Sequence, residues 1–373
     1  MGVSIADRYI VKEILPPFLL GIGAFVVILV GDILYTLAEF IVTRRVSLDV
    51  LLRLLAFKVP AIMVITFPVS TLFGTLLGLG RLAKDNEIQA MRLAGMSLTR
   101  IFCPVLAFGV LMAAVTFCTN ELVAPAANHR ADNLLRRAVF GEAFPVVQQQ
   151  IFFRGPGNRV FYVGQADDSQ HALRNVMIFE PEGTVPRLIT AQRARWDDKT
   201  WSLADGVVRE FDAQGFTRYE AGFASMQILV GADAGTFFAG QRTPEEMTAR
   251  ELRRYLSVFG AGNVARFAVE YYRKFAVPCA SVIFALVAAP LGVRGTHGGR
   301  YLGIGLSISL LFVYYAVMSI ARALGGSGAL APVAAAWLPN LLFGLGGLAL
   351  WAREDRWLPL RLSVPLMRYG PVS

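Results

Sequence analysis

Arg81-Leu-Ala-Lys84-Asp85-Asn-Glu87-Ile-Gln-Ala90-Met91-Arg92-Leu-Ala-Gly95-Met96-Ser97-Leu-Thr-Arg100 is a charged island between two long apolar runs, Val59–Gly80 and Ile101–Asn120, neither of which holds an Asp, Glu, Lys or Arg. Charged groups are costly inside hydrocarbon, so the island belongs in water while the flanking runs cross a bilayer. It carries its own helix punctuation: Asp85 suits an N-cap, Glu87 a first turn and Gly95 the residue just past a C-terminus, with Ser97 starting the next helix. The spacing predicts a short helix over about residues 84–96. Held by two spans, such a helix is a handle, because a push on it from the aqueous side reaches both.

Composition gives the class independently. Of 373 residues, 55% are hydrophobic and 17% charged, and the mean hydropathy is +0.52, well above what a soluble domain needs to fill a core. The net charge of +9 could suggest nucleic acid, but the basic residues flank apolar spans and do not share one polar face, so lipid headgroups and topology explain them better. Cys103, Cys118 and Cys279 fall inside predicted spans, with no Cys-x-x-Cys and no His beside them. They read as small apolar fillers and indicate neither a disulfide framework nor a metal site.

A charged lead, Asp7 to Glu13, precedes an apolar run from Ile14 to Gly31 with no small-residue cleavage site, so a retained first span is expected. Val59–Gly80, Ile101–Asn120, Phe275–Val293, Tyr301–Ala321 and Leu330–Ala352 bring the predicted spans to six. With the N-terminus inside, twelve Lys and Arg of the tails and short loops lie on the inner side and five on the outer, the long middle segment being left out. The bias puts both termini in the cytosol, although Arg44, Arg45, Arg53 and Lys58 in the first outer loop run against it.

Between Leu122 and Phe275 the composition changes to that of a soluble β domain. β-rich runs at 150–153, 159–163, 175–179, 206–211 and 224–230 alternate with turn clusters at 167–168, 181–183, 197–198 and 212–215. That spacing suggests a sandwich or jelly roll of roughly eight strands. Thr243-Pro244-Glu245-Glu246 then announces a helix with a capping box. The expected organisation is spans one to three in 1–123, a β-jellyroll-like domain in 124–242, a helical connection in 243–271, and spans four to six with a C-terminal tail in 272–373.

This chain resembles the permease family of the lipopolysaccharide export system, LptF and LptG. The resemblance rests on Arg8-Tyr9-Ile10 before the first span, on Leu79-Gly80-Arg81-Leu82 followed by Glu87-Ile-Gln-Ala90-Met91-Arg92-Leu-Ala-Gly95-Met96-Ser97, and on Glu270-Tyr-Tyr-Arg273-Lys274 leading into a span that ends Ala289-Pro290-Leu291. It implies a bacterial inner-membrane permease with a periplasmic β domain, paired with a second permease of the family on a dimer of an LptB-like cytosolic ATPase. Such a pair would pass lipopolysaccharide to an LptA/LptC-like jellyroll bridge. The family's coupling helix maps onto Glu87, Ala90, Met91, Arg92 and Gly95, and its lateral gates onto Ile14–Phe40 and Tyr301–Ala321. Its basic lipid-headgroup contacts have only Arg44 and Arg45 as counterparts, just beyond a first span that itself shows Asp32 and Glu39.

Motifs that are missing agree with a non-catalytic subunit. A P-loop needs Gly-Lys, whereas Lys12, Lys58, Lys84, Lys199 and Lys274 follow Val, Phe, Ala, Asp and Arg. ATP would therefore bind another subunit, and no cofactor is expected in this chain. Neither Gly-x-Gly-x-x-Gly nor Gly-x-Ser-x-Gly occurs; His129, His171 and His297 lie in different regions; and Gly31-Asp32 lacks the second glycine of an intramembrane aspartyl protease motif. Blander readings stand beside the functional ones. Glu87 can be simply a favourable first-turn charge, worth a few tenths of a kcal/mol. Phe152, Phe153, Phe161, Tyr162, Trp196 and Trp201 are core by alternation, while the first four are also candidates for an acyl-chain groove. A permease for another amphiphilic envelope lipid, or a membrane scaffold that binds an envelope protein at a strand edge, remain the alternatives to lipopolysaccharide export.

Overall fold

The computed structural model describes residues 5–44, 47–140, 151–154, 159–167, 172–180, 186–197, 200–212, 216–229, 242–259, 264–294 and 299–356. The helices before the sheet are α1 (Ile5–Arg44), α2 (Leu48–Lys84), α3 (Glu87–Leu93), α4 (Leu98–Cys118) and α5 (Ala124–Phe140), with a π turn at Thr119–Val123. Strands β1 (Ile151–Arg154), β2 (Val160–Asp167), β3 (Ala172–Glu180), β4 (Arg187–Asp197), β5 (Thr200–Phe211) and β6 (Thr217–Leu229) follow. A short 3-10 turn at Pro244–Glu246 precedes α6 (Ala249–Phe259), α7 (Ala265–Arg294), α8 (Gly299–Gly326) and α9 (Pro332–Arg356). Six helical stretches are long and apolar enough to cross a membrane, three before the sheet and three after it. The protein is a helical membrane protein with an inserted β domain, as its sequence predicts.

The chain divides into two units, Met1–Phe25 with Val64–Phe117 and Phe275–Ser373, and Val26–Met63 with Cys118–Lys274. In the first, helix packing cannot draw on a hydrophobic effect against lipid, so it depends on close backbone approach and on polar links. Gly74 and Gly78, four apart on one face of α2, supply the approach to α1. A Cβ at Gly74 would lie 2.8 Å from Phe18 Cβ, and one at Gly78 would lie 3.0 Å from the Glu13 carbonyl oxygen. Gly109 of α4 meets α7 in the same way, 2.8 Å from Ala285 Cβ. A buried polar chain joins the last three spans: Tyr314 Oη donates to Asn340 Oδ1 at 2.8 Å, and Asn340 Nδ2 donates to the Ala276 carbonyl at 2.7 Å.

In the second unit the six strands pair antiparallel in sequence order, β1 to β6. Of the predicted turn clusters, Asp167, Asp197 and Asp212 lie at or just past strand ends, while 168, 181–183, 198 and 213–215 lie outside the described residues. Six strands lie among the described residues, of which β4, β5 and β6 run 11, 12 and 13 residues; 141–150 and 230–241 of the expected β domain lie outside the described residues. Alternation slips along a line that crosses the sheet from β2 to β6. On β3, Arg174 and Asn175 are both exposed between inward Leu173 and Val176; on β4, Gln192 and Arg193 are both exposed between Ala191 and Ala194; on β6, Ala224 and Ser225 repeat the pattern. The pairs Gly164–Asn175, Asn175–Gln192, Gln192–Asp205 and Asp205–Ala224 are missing from the ladders along this line; a separate register shift lies between Glu210 and Phe211 at the end of β5. Asn175 and Asp205 have φ of 53° and 54°, left-handed values that Asn and Asp tolerate better than most residues. The slip brings residues from both sides of the line into one core, including Phe161, Val163, Leu173, Ile178, Trp201 and Leu203.

The helical parts of this unit are tied by polar contacts. Lys274 Nζ donates to the Asn120 carbonyl in the π turn at 2.9 Å, while Asn120 Nδ2 donates back to the Lys274 carbonyl at 3.4 Å. Lys58 pairs with Asp132 at 2.7 Å and His129 with buried Glu246 at 2.6 Å. The capping box at Thr243 forms as expected, but it caps a single 3-10 turn. Met247 is extended, and a second box at Thr248 and Glu251 starts α6. Burial pushes the Glu251 carboxyl up, but hydrogen bonds from Thr248 and the Arg242 guanidinium outweigh it and hold the group below the usual carboxylate range.

Gly206 has no room for a side chain: a Cβ there would clash with the Phe223 ring and the Thr190 carbonyl oxygen. Gly206→Ala should therefore cost about 1–3 kcal/mol through overpacking. The same change at Gly222, with nothing nearer than 3.9 Å, should cost less. Limited proteolysis of the detergent-purified chain would show faster cleavage within the strands for Gly206→Ala alone. Equal protection of the two variants would mean that Phe223 does not close against Gly206.

Candidate functional site

The charged island folds as predicted in kind, into a helix of seven residues between the second and third spans. Its C-terminus is a Schellman motif: Gly95 N–H donates to Arg92 O at 2.9 Å and Met96 N–H to Met91 O at 3.0 Å, with Gly95 at φ 92°. Ser97 then caps α4, its hydroxyl accepting the Arg100 N–H at 3.2 Å. The N-terminus differs from expectation. Asp85 does not cap α3; the N-cap is Asn86, at φ 60° with no side-chain hydrogen bond. The chain must reverse within two residues after α2, and a left-handed Asn makes that turn at low steric cost. The Asp85 carboxylate instead lies 3.5 Å from Arg81 Nε.

Three links fix this turn to the first residues of α1. Tyr9 Oη donates to Glu87 Oε2 at 2.6 Å. Arg81 Nη1 donates to Glu13 Oε2 at 2.6 Å. Arg100 holds Asp7 with both terminal nitrogens, at 2.6 and 2.8 Å, the bidentate geometry that gives an ion pair its directionality. Beneath them Ile88, 3% exposed, and Met91 enter a core shared with Ile10 and Ile14 of α1, Leu82 of α2 and Phe102 of α4. The face of α3 turned away from that core carries Gln89, Ala90, Leu93 and Ala94, all exposed. Leu93 is 87% exposed.

The predicted coupling residues therefore divide. Ala90 is on the outward face; Met91 is largely committed to the core; Arg92 is half-buried; Gly95 shapes the C-terminus; and Glu87 is half-buried and already engaged by Tyr9. Sequence reasoning passed over Leu93 and Tyr9. Leu93 had a usable signal, since with Gln89 and Ala90 it makes an i, i+3, i+4 stripe on a helix whose other apolar stripe, Ile88 and Met91, is enough to seat it. Of the candidate groove residues, Phe161 is fully buried and packs edge-on against Trp201 at 5.5 Å. Tyr162 is half-buried on the other face. The side chains of Phe152, Phe153 and Arg44, and all of Arg45, lie outside the described residues.

A family model described as "Lipopolysaccharide export system permease LptF/LptG" matches residues 8–353. The chain is 23% identical to the lipopolysaccharide export system permease protein LptG of Escherichia coli K12 over 379 residues, covering 94% of this chain and 99% of that protein. It is 22% identical to LptF of the same strain over 348 residues, covering 90% and 91%. It is also 22% identical to LptG of Haemophilus influenzae over 362 residues, covering 91% and 96%.

Removing the Tyr9 hydroxyl should loosen α3 without unfolding the spans. In Tyr9→Phe, amide exchange within residues 87–93 is expected to rise severalfold over wild type while α4 keeps its protection. Unchanged exchange would show that the Glu87 contact contributes nothing to holding the helix.

Proposed function

Since the chain belongs to the LptF/LptG family of lipopolysaccharide export permeases, we propose that it is the membrane-embedded permease subunit of an ATP-driven exporter, with α3 as the seat of a separate cytosolic ATPase. The observation that carries this reading is the outward face of α3. A charged turn in water has no need of an exposed leucine, and Leu93 at 87% exposure, beside Ala90 and Ala94, makes a small apolar knob of the kind that a groove on a partner buries. Glu87 stands at its edge. The carboxylate accepts from Tyr9 on one oxygen and can accept further donors from an incoming cationic side chain.

In this reading the turn that contains α3 faces the cytosol, as do both termini, and the β domain lies in the periplasm. The cargo is lipopolysaccharide, taken from the inner membrane past the first and fifth spans by a pair of permeases. The β domain passes it to a jellyroll bridge. This subunit performs no chemistry; ATP is bound and hydrolysed by the partner. Motion of that partner reaches the first span directly, because Tyr9, Glu13 and Asp7 of α1 are held by Glu87, Arg81 and Arg100 around the docking helix.

Affinity purification in mild detergent tests the reading. An ATPase is expected to co-purify with wild type and to fall by about tenfold or more with Leu93→Asp and with Glu87→Arg, the consequence of removing an interface anchor. A second permease should be retained in both variants. If no ATPase accompanies the wild-type chain, or if both variants keep it, α3 is not the docking helix and a scaffold role for the β domain takes precedence.

A further inference from the structure

A cavity of about 570 Å³ opens within the first unit beside the docking turn, between α1, α2, α7 and α8. Its depth is apolar, walled by Leu20, Phe73, Leu77 and Ile304, and its mouth carries Glu13, Arg81, Lys84 and Asp85. Pro16 and Pro17 line the α1 side. Having no N–H, they leave the carbonyls of Lys12 and Glu13 without their usual helical donors, which adds acceptors near the mouth. Arg81 is bonded to Glu13 and lies close to Asp85, whereas Lys84 is exposed and makes no ion pair among the described residues.

An amphiphile of a particular kind matches this arrangement. The apolar depth accepts an acyl chain, and its size is that of an ordinary small-molecule site. Lys84, with the remaining Arg81 donors, accepts one phosphate, since both are phosphate-binding side chains. The two carboxylates at the same mouth repel a second phosphate and attract an ammonium group. We infer that this cavity binds one zwitterionic glycerophospholipid of the host membrane, its phosphate on Lys84 and Arg81, its amine toward Asp85 and Glu13, and one acyl chain along Leu20, Phe73 and Ile304. The inference goes beyond the transport reading and does not depend on it, since it rests on the lining of the cavity alone. The bound lipid bears on the Arg81–Glu13 link and so on how firmly α1 is held to the docking turn.

Native mass spectrometry of the full chain, delipidated in detergent and titrated with palmitoyl-oleoyl phosphatidylethanolamine, phosphatidylglycerol or a bis-phosphorylated hexa-acyl lipid A, tests this. One phosphatidylethanolamine should bind ahead of the other two lipids. Lys84→Ala should weaken it by about tenfold, and Gly303→Leu, which adds a side chain at the cavity wall, should displace it. Because Gly303→Leu can also disturb packing, where a Cβ already meets Leu77 at 3.1 Å, a diazirine on the acyl chain is used with the unmodified chain and should label α1 and α8 near Leu20 and Ile304. Preference for lipid A, equal binding by wild type and Lys84→Ala, labelling spread evenly over all spans, or displacement by a second permease would each overturn the assignment.

Discussion

A helix of seven residues does not persist in water by itself, because nucleation costs more than so few hydrogen bonds return. The α3 helix exists through its surroundings: Ile88 and Met91 sunk between spans, a Schellman turn at Gly95, and the Tyr9 hydroxyl on Glu87. The dependence runs both ways. The same contacts tie α3 to the first three spans, and they leave Gln89, Ala90, Leu93 and Ala94 outward, with half-buried Glu87 at their edge. A docking element must be stiff to transmit force, and this one owes its stiffness to bonds from α1, a helix 78 positions away in sequence at the Tyr9–Glu87 contact.

The membrane sets the remaining constraints. Within the spans, glycines at 74, 78 and 109 allow helices to meet at backbone distance, and the Tyr314–Asn340–Ala276 chain satisfies polar groups internally. The second unit has water available and so follows different rules. There a sheet of six strands builds a core by shifting its alternation along one line, with Asn175 and Asp205 accepting the left-handed backbone that the shift requires. A hydrophobic core made from a single meander needs such a fold line, since a flat sheet buries one face only against another layer.

Much of this was legible in the sequence. Six uncharged runs could only be spans, and the island at 81–100 could only be in water, because hydropathy over twenty residues outweighs any local preference. The Gly95 stop was legible because glycine acts locally. What failed was non-local or shared between neighbours. Asp85 and Asn86 are both good turn residues, and the tight reversal after α2 selected the one that tolerates a left-handed φ. The helix expected after Thr243 is broken at Met247 because a second box, Thr248 with Glu251, competes for the same register. Phe161, read from alternation as core, is buried as that reading expects. Tyr9 stood in a motif before the first span, but its bond to Glu87, 78 positions away, had no local signal.

The proposed docking role requires that α3 and the start of α1 move as one body with a bound ATPase. Spin labels at Gln89 on the outward face of α3 and at Ile5 on α1, both exposed, report it most directly through their distance in the ATPase-bound complex with and without trapped nucleotide. The account predicts a distance distribution that keeps its mean and width while labels elsewhere in the spans shift. A change in the Gln89–Ile5 distance on nucleotide binding would show that α3 moves against α1, and the pinned handle would have to be abandoned.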